Sequence, residues 1–251
     1  FAVVGLGRFA QQAILPAFAR ARKTTELAAL VSSDPKKLRT LARAYHAGHA
    51  VDYADLDGLC RSDAVDAVYI ATPNDTHRGL VERVAPHGIH VLCEKPMAVT
   101  EEDCAAMIGA CRANACKLMI GYRLHFEPAN QSAVELVRQG RIGEPRFFHS
   151  TFSYQVDGDN IRVNPRAQGG GALYDLGPYC INAARHLFRD EPTEVVGLAA
   201  RGDDPRFDRV EEQLAAMLRF PDERLATFIV GFGTAATGFF EIVGDAGRLR
   251  V

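Results

Sequence analysis

Along the first 120 residues, short apolar runs alternate with stretches of helical spacing. The runs lie at 2–4, 27–31, 66–71, 89–93 and 117–120, with a weaker one near 50–53. Their apolar character is nearly continuous, as expected of strands covered on both faces. Between them, residues 10–21, 35–45, 76–86 and 101–115 carry helical patterns. Thr100 followed by Asp103 is a capping-box-like start, Asp34 before Pro35 reads as an N-cap, and Gly88 as a helix stop. Pro16 falls inside the first helical stretch and predicts a kink or a restart there. Strand and helix repeating in this way predict a parallel, doubly wound α/β sheet.

After residue 121 the pattern changes. An amphipathic helix at about 127–139 is followed by a strand at 147–155, a polar loop and Gly169-Gly170-Gly171. A helix carries residues 179–188, and strand patterns follow at 194–200, 213–220, 225–232, 238–243 and from 248 onward. Turn signals such as Pro221-Asp222 and Gly244-Asp245 separate them, predicting a large, mainly antiparallel sheet in an α+β domain. The expected division is therefore 1–121 and 122–251. The chain opens without Met inside an apolar run and closes inside a strand pattern, so both ends are expected to be cut, the carboxyl end included. A cytoplasmic location is expected, or a periplasmic one where an N-terminal signal precedes the chain.

Charge and cysteine content narrow the classes. Twenty-nine Lys+Arg against thirty-one Asp+Glu give a net charge of −2, so no general basic field attracts nucleic acid or an acidic membrane surface. No apolar run approaches the ~20 residues needed to cross a bilayer. Six cysteines include no C-x-x-C pair and read as reduced core residues. No metal site is expected, and His186 reads as a core histidine.

Gly5-Leu6-Gly7-Arg8-Phe9-Ala10 is a G-x-G-x-x-A motif placed directly after the first strand and opening the first helix. Gly5 serves the tight turn, Gly7 the approach of backbone to a pyrophosphate, and Ala10 the close packing of helix on strand. The helix N-terminus adds free N–H groups and a positive dipole end. This context makes the first domain a dinucleotide-binding, Rossmann-type unit. The second strand ends in Val31-Ser32-Ser33-Asp34, with Ser32 where an acid would hold a free ribose 2′-hydroxyl. Ser32, Ser33 and Lys37 suit a 2′-phosphate, which favours NADP; a two-residue slip bringing Asp34 to the ribose would give NAD instead.

Two further clusters carry chemistry. Glu94-Lys95-Pro96 follows the fifth strand, at the carboxyl edge where open α/β sheets bind ligands. There Lys95 can hydrogen-bond a substrate oxygen, or simply pair with Glu94 on the surface. Gly169 to Tyr179 places Asp175 and Tyr179 four apart, on one face if the helix already includes Asp175. Either the glycines or Pro178 can start that helix. A tyrosine beside an ammonium can act as a general acid or base; a core tyrosine with a capping Asp is the plainer reading.

Together these motifs resemble the Gfo/Idh/MocA family of dinucleotide-dependent oxidoreductases, closest to its glucose–fructose oxidoreductase and NADP-linked sugar dehydrogenase branch. The likeness rests on 5–10, 30–33, 66–70, 93–98, 118–123 and 169–179, and extends over essentially the whole chain. It implies Lys95 as active-site lysine, Asp175 as the substrate-orienting aspartate, and Tyr179 as acid–base group where most of the family carries His. Cofactor contacts implied by the resemblance are Gly5, Gly7, Arg8, Phe9, Ser32, Lys37, Asn74, His77, Glu94, Lys95, Arg123 and Arg162, with Thr72 in the same loop as Asn74. Substrate contacts fall to Lys95, Arg123, Asp175 and Tyr179. The expected activity is hydride transfer between NADP(H) and a carbinol carbon of a sugar or polyol. An aldose oxidoreductase that retains its NADP and a non-catalytic NADP(H)-binding sensor are the alternatives. The resemblance also implies a homodimer or homotetramer formed through the second sheet.

Overall fold

The computed structural model describes residues 1–251, which form two compact units, Phe1–Gly121 and Tyr122–Val251. In the first unit, β1 (Ala2–Val4), β2 (Ala29–Val31), β3 (His49–Val51), β4 (Ala67–Ile70), β5 (His90–Cys93) and β6 (Leu118–Ile120) form one sheet. Its order is β3-β2-β1-β4-β5-β6, and every pair is parallel. All carboxyl ends therefore lie along one edge, and the order reverses between β1 and β4, where such sheets bind ligands. Strands β1 and β2 are fully buried, with Val3 and Leu30 packed in one apolar cluster and Val4, Val68 and Cys93 in another.

The connecting helices are α1 (Leu15–Arg20), α2 (Pro35–Tyr45), α3 (Leu56–Cys60), α4 (His77–Val84) and α5 (Glu101–Ala113). Ahead of α1, residues Ala10–Ile14 form a π-helical turn in which the Leu15 N–H bonds the Ala10 carbonyl. Pro16 has no N–H to give the preceding turn, and the wider turn absorbs that loss. Asp34 caps α2, accepting from the N–H groups of Lys36 and Lys37 at 3.0 Å each. Thr100 caps α5 by accepting from the Asp103 N–H at 3.1 Å. Helix α3 is one short element that the sequence pattern did not reveal.

The second unit contains α6 (Pro128–Arg138), β7 (Pro145–Tyr154), α7 (Ala172–Phe188), β8 (Glu194–Ala200), β9 (Gln213–Phe220), β10 (Arg224–Phe232), β11 (Thr237–Gly244) and β12 (Arg248–Arg250). Its sheet runs β12-β11-β7-β10-β9-β8 and is antiparallel except where β10 pairs in parallel with β7. Helix α7 lays Leu176, Cys180, Ala184, Leu187 and Phe188 on one sheet face, against Phe148, Ala226, Phe228 and Val230. The spacing of these five positions is that of a single helical stripe. No helix of either unit is long and apolar enough to cross a membrane.

Candidate active site

In the first unit the site grows from the carboxyl edge of the parallel sheet. Gly5 leaves β1 at φ +94°, and a Cβ built on it would lie 2.6 Å from the Ala71 carbonyl and 2.7 Å from Thr72 Cγ2. Only glycine fits there, on conformation and on space. Gly7 is different: a Cβ at that position meets no protein atom within 4 Å. Protein packing does not require this glycine, and the open space over its backbone fits the approach of a dinucleotide pyrophosphate. Ala10 is fully buried, and Phe9 beside it stays 45% exposed, as does much of Arg8.

After β2, Ser32 is buried and its Oγ accepts from the Asp34 N–H at 3.2 Å. Its O–H hydrogen still remains for a further acceptor. Ser33 and Lys37 are exposed, with the Lys37 ammonium 3.5 Å from Asp34 Oδ2. The backbone N–H groups of Lys37 and Lys36, together with the Lys37 ammonium, hold the Asp34 carboxyl below the usual carboxylate range. Asp34 is thus committed to its helix.

The loops after β4 and β5 are tied together by His77. Its side chain is fully buried; Nδ1 lies 3.2 Å from the Pro96 carbonyl and 3.1 Å from that of Met97, and Nε2 lies 3.1 Å from that of Thr72. Burial lowers its pKa, against the opposing pull of these carbonyls. His77 therefore fastens the segment that carries Lys95; its ring is turned to protein carbonyls instead of an anion. Glu94 is equally committed: it accepts from the Tyr69 hydroxyl through Oε1 and from the Lys95 N–H, at 3.3 Å, through Oε2. Gly121 leaves it room, since a Cβ there would stand 3.2 Å from Glu94 Oε1. Lys95 is half-buried at the end of this loop, and its peptide bond to Pro96 is cis.

In the second unit the glycines start α7. Gly170 sits so close to the preceding loop that a Cβ would lie 1.9 Å from the Asn164 carbonyl, and Gly171 adopts φ +111°. The helix begins at Ala172, and Pro178 stands inside it. Asp175 and Tyr179 therefore share a face, beside the stripe that packs on the sheet. Asp175 is 8% exposed. Its Oδ2 accepts from the Tyr154 hydroxyl at 2.7 Å and lies 2.8 Å from Arg162 Nε. Burial and the neighbouring Asp175 charge push the Tyr154 phenol well above its ordinary pKa, so Tyr154 keeps its proton and acts as a donor. Tyr179 packs on Phe152, ring centroids 5.4 Å apart, and lines a cavity of about 750 Å³ with Tyr122, His125, Asn182 and His186. His186 is half-buried there, its Nδ1 3.0 Å from that of His125.

Residues 1–122 match the family described as "Oxidoreductase family, NAD-binding Rossmann fold", and residues 130–250 match the "GFO/IDH/MocA C-terminal domain". The chain belongs to the Gfo/Idh/MocA family. Among its Gfo/Idh/MocA relatives, a D-xylose 1-dehydrogenase [NADP(+)] of Haloarcula marismortui is 34% identical across the whole chain and 71% of its own length. The crystal structure of an aldose-aldose oxidoreductase from Caulobacter crescentus, complexed with glycerol, superposes with TM-score 0.95 at 39% identity, covering 99% of this chain and 75% of that one. A scyllo-inositol dehydrogenase from Lactobacillus casei, with NAD(H) and scyllo-inositol bound, gives TM-score 0.88 at 25% identity over 100% of this chain and 75% of its own. This member of the family is an NAD(P)-dependent oxidoreductase acting on CH–OH groups, with an NAD(P)-binding Rossmann unit.

Of the residues singled out from sequence, Gly5, Gly7, Arg8, Phe9, Ser32, Ser33, Lys37, Thr72, Asn74, Glu94 and Lys95 all lie at the carboxyl edge of the first sheet. His77 is there too, but enclosed. Arg162, implied as a cofactor contact, is found on Asp175. Arg123 is exposed in the first turn of the second unit. Tyr154 was not anticipated. The signal was present, because β7 alternation puts Ser150, Phe152 and Tyr154 on the helix-covered face, where a tyrosine hydroxyl needs a partner.

Proposed function

We propose that the protein transfers hydride between NADP(H) and a carbinol carbon of an aldose or related polyol. The observation that carries this reading is the constellation on α7: a buried Asp175 whose Oδ2 is held by Tyr154 and Arg162, one helical turn before Tyr179. A buried carboxylate so held is an acceptor aimed at hydroxyl groups, and core packing alone gives no reason for it. Asp175 fixes the sugar by accepting from one of its hydroxyls. Tyr179 takes or returns the proton of the reacting hydroxyl, and the Lys95 ammonium assists by donating to the same oxygen and favouring the phenolate. The cofactor, when bound, supplies the hydride chemistry. Gly5, Gly7, Arg8 and Phe9 would hold its pyrophosphate side, and Ser33 and Lys37, with the Ser32 hydroxyl, a 2′-phosphate.

Replacing Tyr179 by Phe tests the assignment. Turnover of aldoses, followed at 340 nm, is expected to fall by roughly 10²- to 10⁴-fold while NADP binding is retained. Near-normal turnover would remove Tyr179 from the mechanism. A second reading is supported by the likeness to the Caulobacter aldose-aldose oxidoreductase: one aldose is oxidised and another reduced on an NADP that never leaves. NADP that stays with the protein through gel filtration supports the second reading; its loss supports the first. We further assign the open face of the second sheet to a homodimer or homotetramer.

A further inference from the structure

Helix α7 is mounted on the second unit by a charged side chain at each end. None of Gly169, Gly170 and Gly171 has a side chain to cap it, and the N-cap position makes no side-chain hydrogen bond. The N–H of Leu173, one of the donors a helix start leaves unpaired, is met instead by Glu211 Oε1 at 2.8 Å, from the loop before β9. The same carboxylate lies over Gly171, where a Cβ would stand 2.5 Å from Oε1 and 2.7 Å from Oε2. At the other end, Arg224 Nη1 donates to the Phe188 carbonyl at 2.9 Å, its guanidinium 5.2 Å from the centre of the Phe188 ring. Negative charge at the start and positive charge at the end both complement the helix dipole.

The two mounts differ in what stands beside them. Glu211 holds the turn that contains Asp175, and Tyr179 follows one turn later. That turn closes weakly by itself, because the Asp175 N–H reaches the Gly171 carbonyl at 3.3 Å. Arg224 acts at Phe188, about 14 Å along the axis from Tyr179 at ~1.5 Å per residue. We propose that Glu211 is a positioning residue of the reaction, setting the rotation and depth of the first turn of α7 and through it the places of Asp175 and Tyr179. It acts through the Leu173 N–H and the surface of Gly171, and the proposal rests on the roles of Asp175 and Tyr179 given above. A displacement of about 1 Å in such groups is enough to cost ~10²-fold in rate.

The test compares Glu211→Ala, Glu211→Asp, Glu211→Gln and Arg224→Met in the full chain. The measurements are steady-state kinetics with an aldose and NADP, NADP affinity by fluorescence, melting temperature, and amide hydrogen exchange over residues 171–176. Glu211→Ala is expected to lower kcat by roughly 10- to 100-fold, leave NADP affinity within about twofold, and speed exchange at Leu173 at least about tenfold. Glu211→Gln keeps an acceptor oxygen at the same reach and is expected to restore kcat to within about threefold. Glu211→Asp keeps the charge but falls one methylene short; it is expected to behave like the alanine variant in a chain that folds. Arg224→Met is expected to lower the melting temperature and keep kcat within about twofold, since it touches only the far end. Wild-type kcat in Glu211→Ala, no rescue by Gln, or an equal kcat loss in Arg224→Met each overturns the proposal. If Tyr179→Phe stays active, the catalytic reading fails by itself, while Leu173 exchange still reports whether Glu211 holds the turn.

Discussion

One carboxylate oxygen organises the polar cluster of the second unit. Asp175 Oδ2 accepts from the Tyr154 hydroxyl and pairs with the Arg162 guanidinium, so removing the Tyr154 hydroxyl takes away the hydrogen bond that orients this oxygen. Tyr154→Phe is expected to raise the KM for an aldose by about tenfold and leave NADP affinity unchanged, the size of one lost hydrogen bond to a charged group. Steady-state kinetics and a binding titration check it. His77 makes a different prediction. Its pKa is lowered in the folded protein by burial, whereas in the unfolded chain it takes up a proton from about pH 6.5 downward. The unfolded state then binds more protons, so stability falls as pH drops below about 6.5, by at most ~1.4 kcal/mol per pH unit from this group. His77→Asn is expected to flatten that slope in urea midpoints taken between pH 7.5 and 5.5; identical slopes in the two proteins would refute it. The sequence pointed to His77 only as a cofactor contact and said nothing of its three carbonyl neighbours, Thr72 five residues back and Pro96 and Met97 19 and 20 residues on.

At the scale of elements, local signals were read well where they are self-contained. Asp34-Pro35 starts α2, Gly88 takes a left-handed conformation at φ +76°, and Pro16 follows a change of helical type. The start of α7 was left open between the glycines and Pro178, because neither signal outweighs the other within the segment. The decision comes from packing: Gly170 is pressed on the Asn164 carbonyl and Gly171 on the Glu211 carboxylate. Gly170→Ala is accordingly expected to destabilise the protein by at least about 2 kcal/mol in urea denaturation and to abolish turnover, since the clash is with backbone. The parallel pairing of β7 with β10 was equally hidden. Alternation tells which face a strand buries but not which neighbour it joins, and this neighbour lies 78 residues further on.

For the molecule as a whole, the open face of the second sheet is the feature to test. Val196 and Leu198 on β8, at 66% and 75% exposed, are continued across the sheet by Met217, Leu225, Ile229 and Phe147. These exposed apolar positions are where the proposed homodimer or homotetramer associates. If the proposed oligomer forms through this face, Leu198→Lys together with Ile229→Lys is expected to give monomers by sedimentation, and a mass unchanged from wild type refutes that assignment. The chain's own order of residues determined the class of each half: continuous apolar runs with helices between them admit a parallel sheet, and alternating runs with tight turns an antiparallel one. It also determined the glycine turn from β1 into the first helix, since a tight turn and a helix start are both local. Tertiary structure alone decided where α7 begins, which oxygen of Asp175 is held, and that Glu211 reaches the helix start. Each of those depends on groups distant in sequence meeting at hydrogen-bond range, and no local periodicity encodes such a meeting.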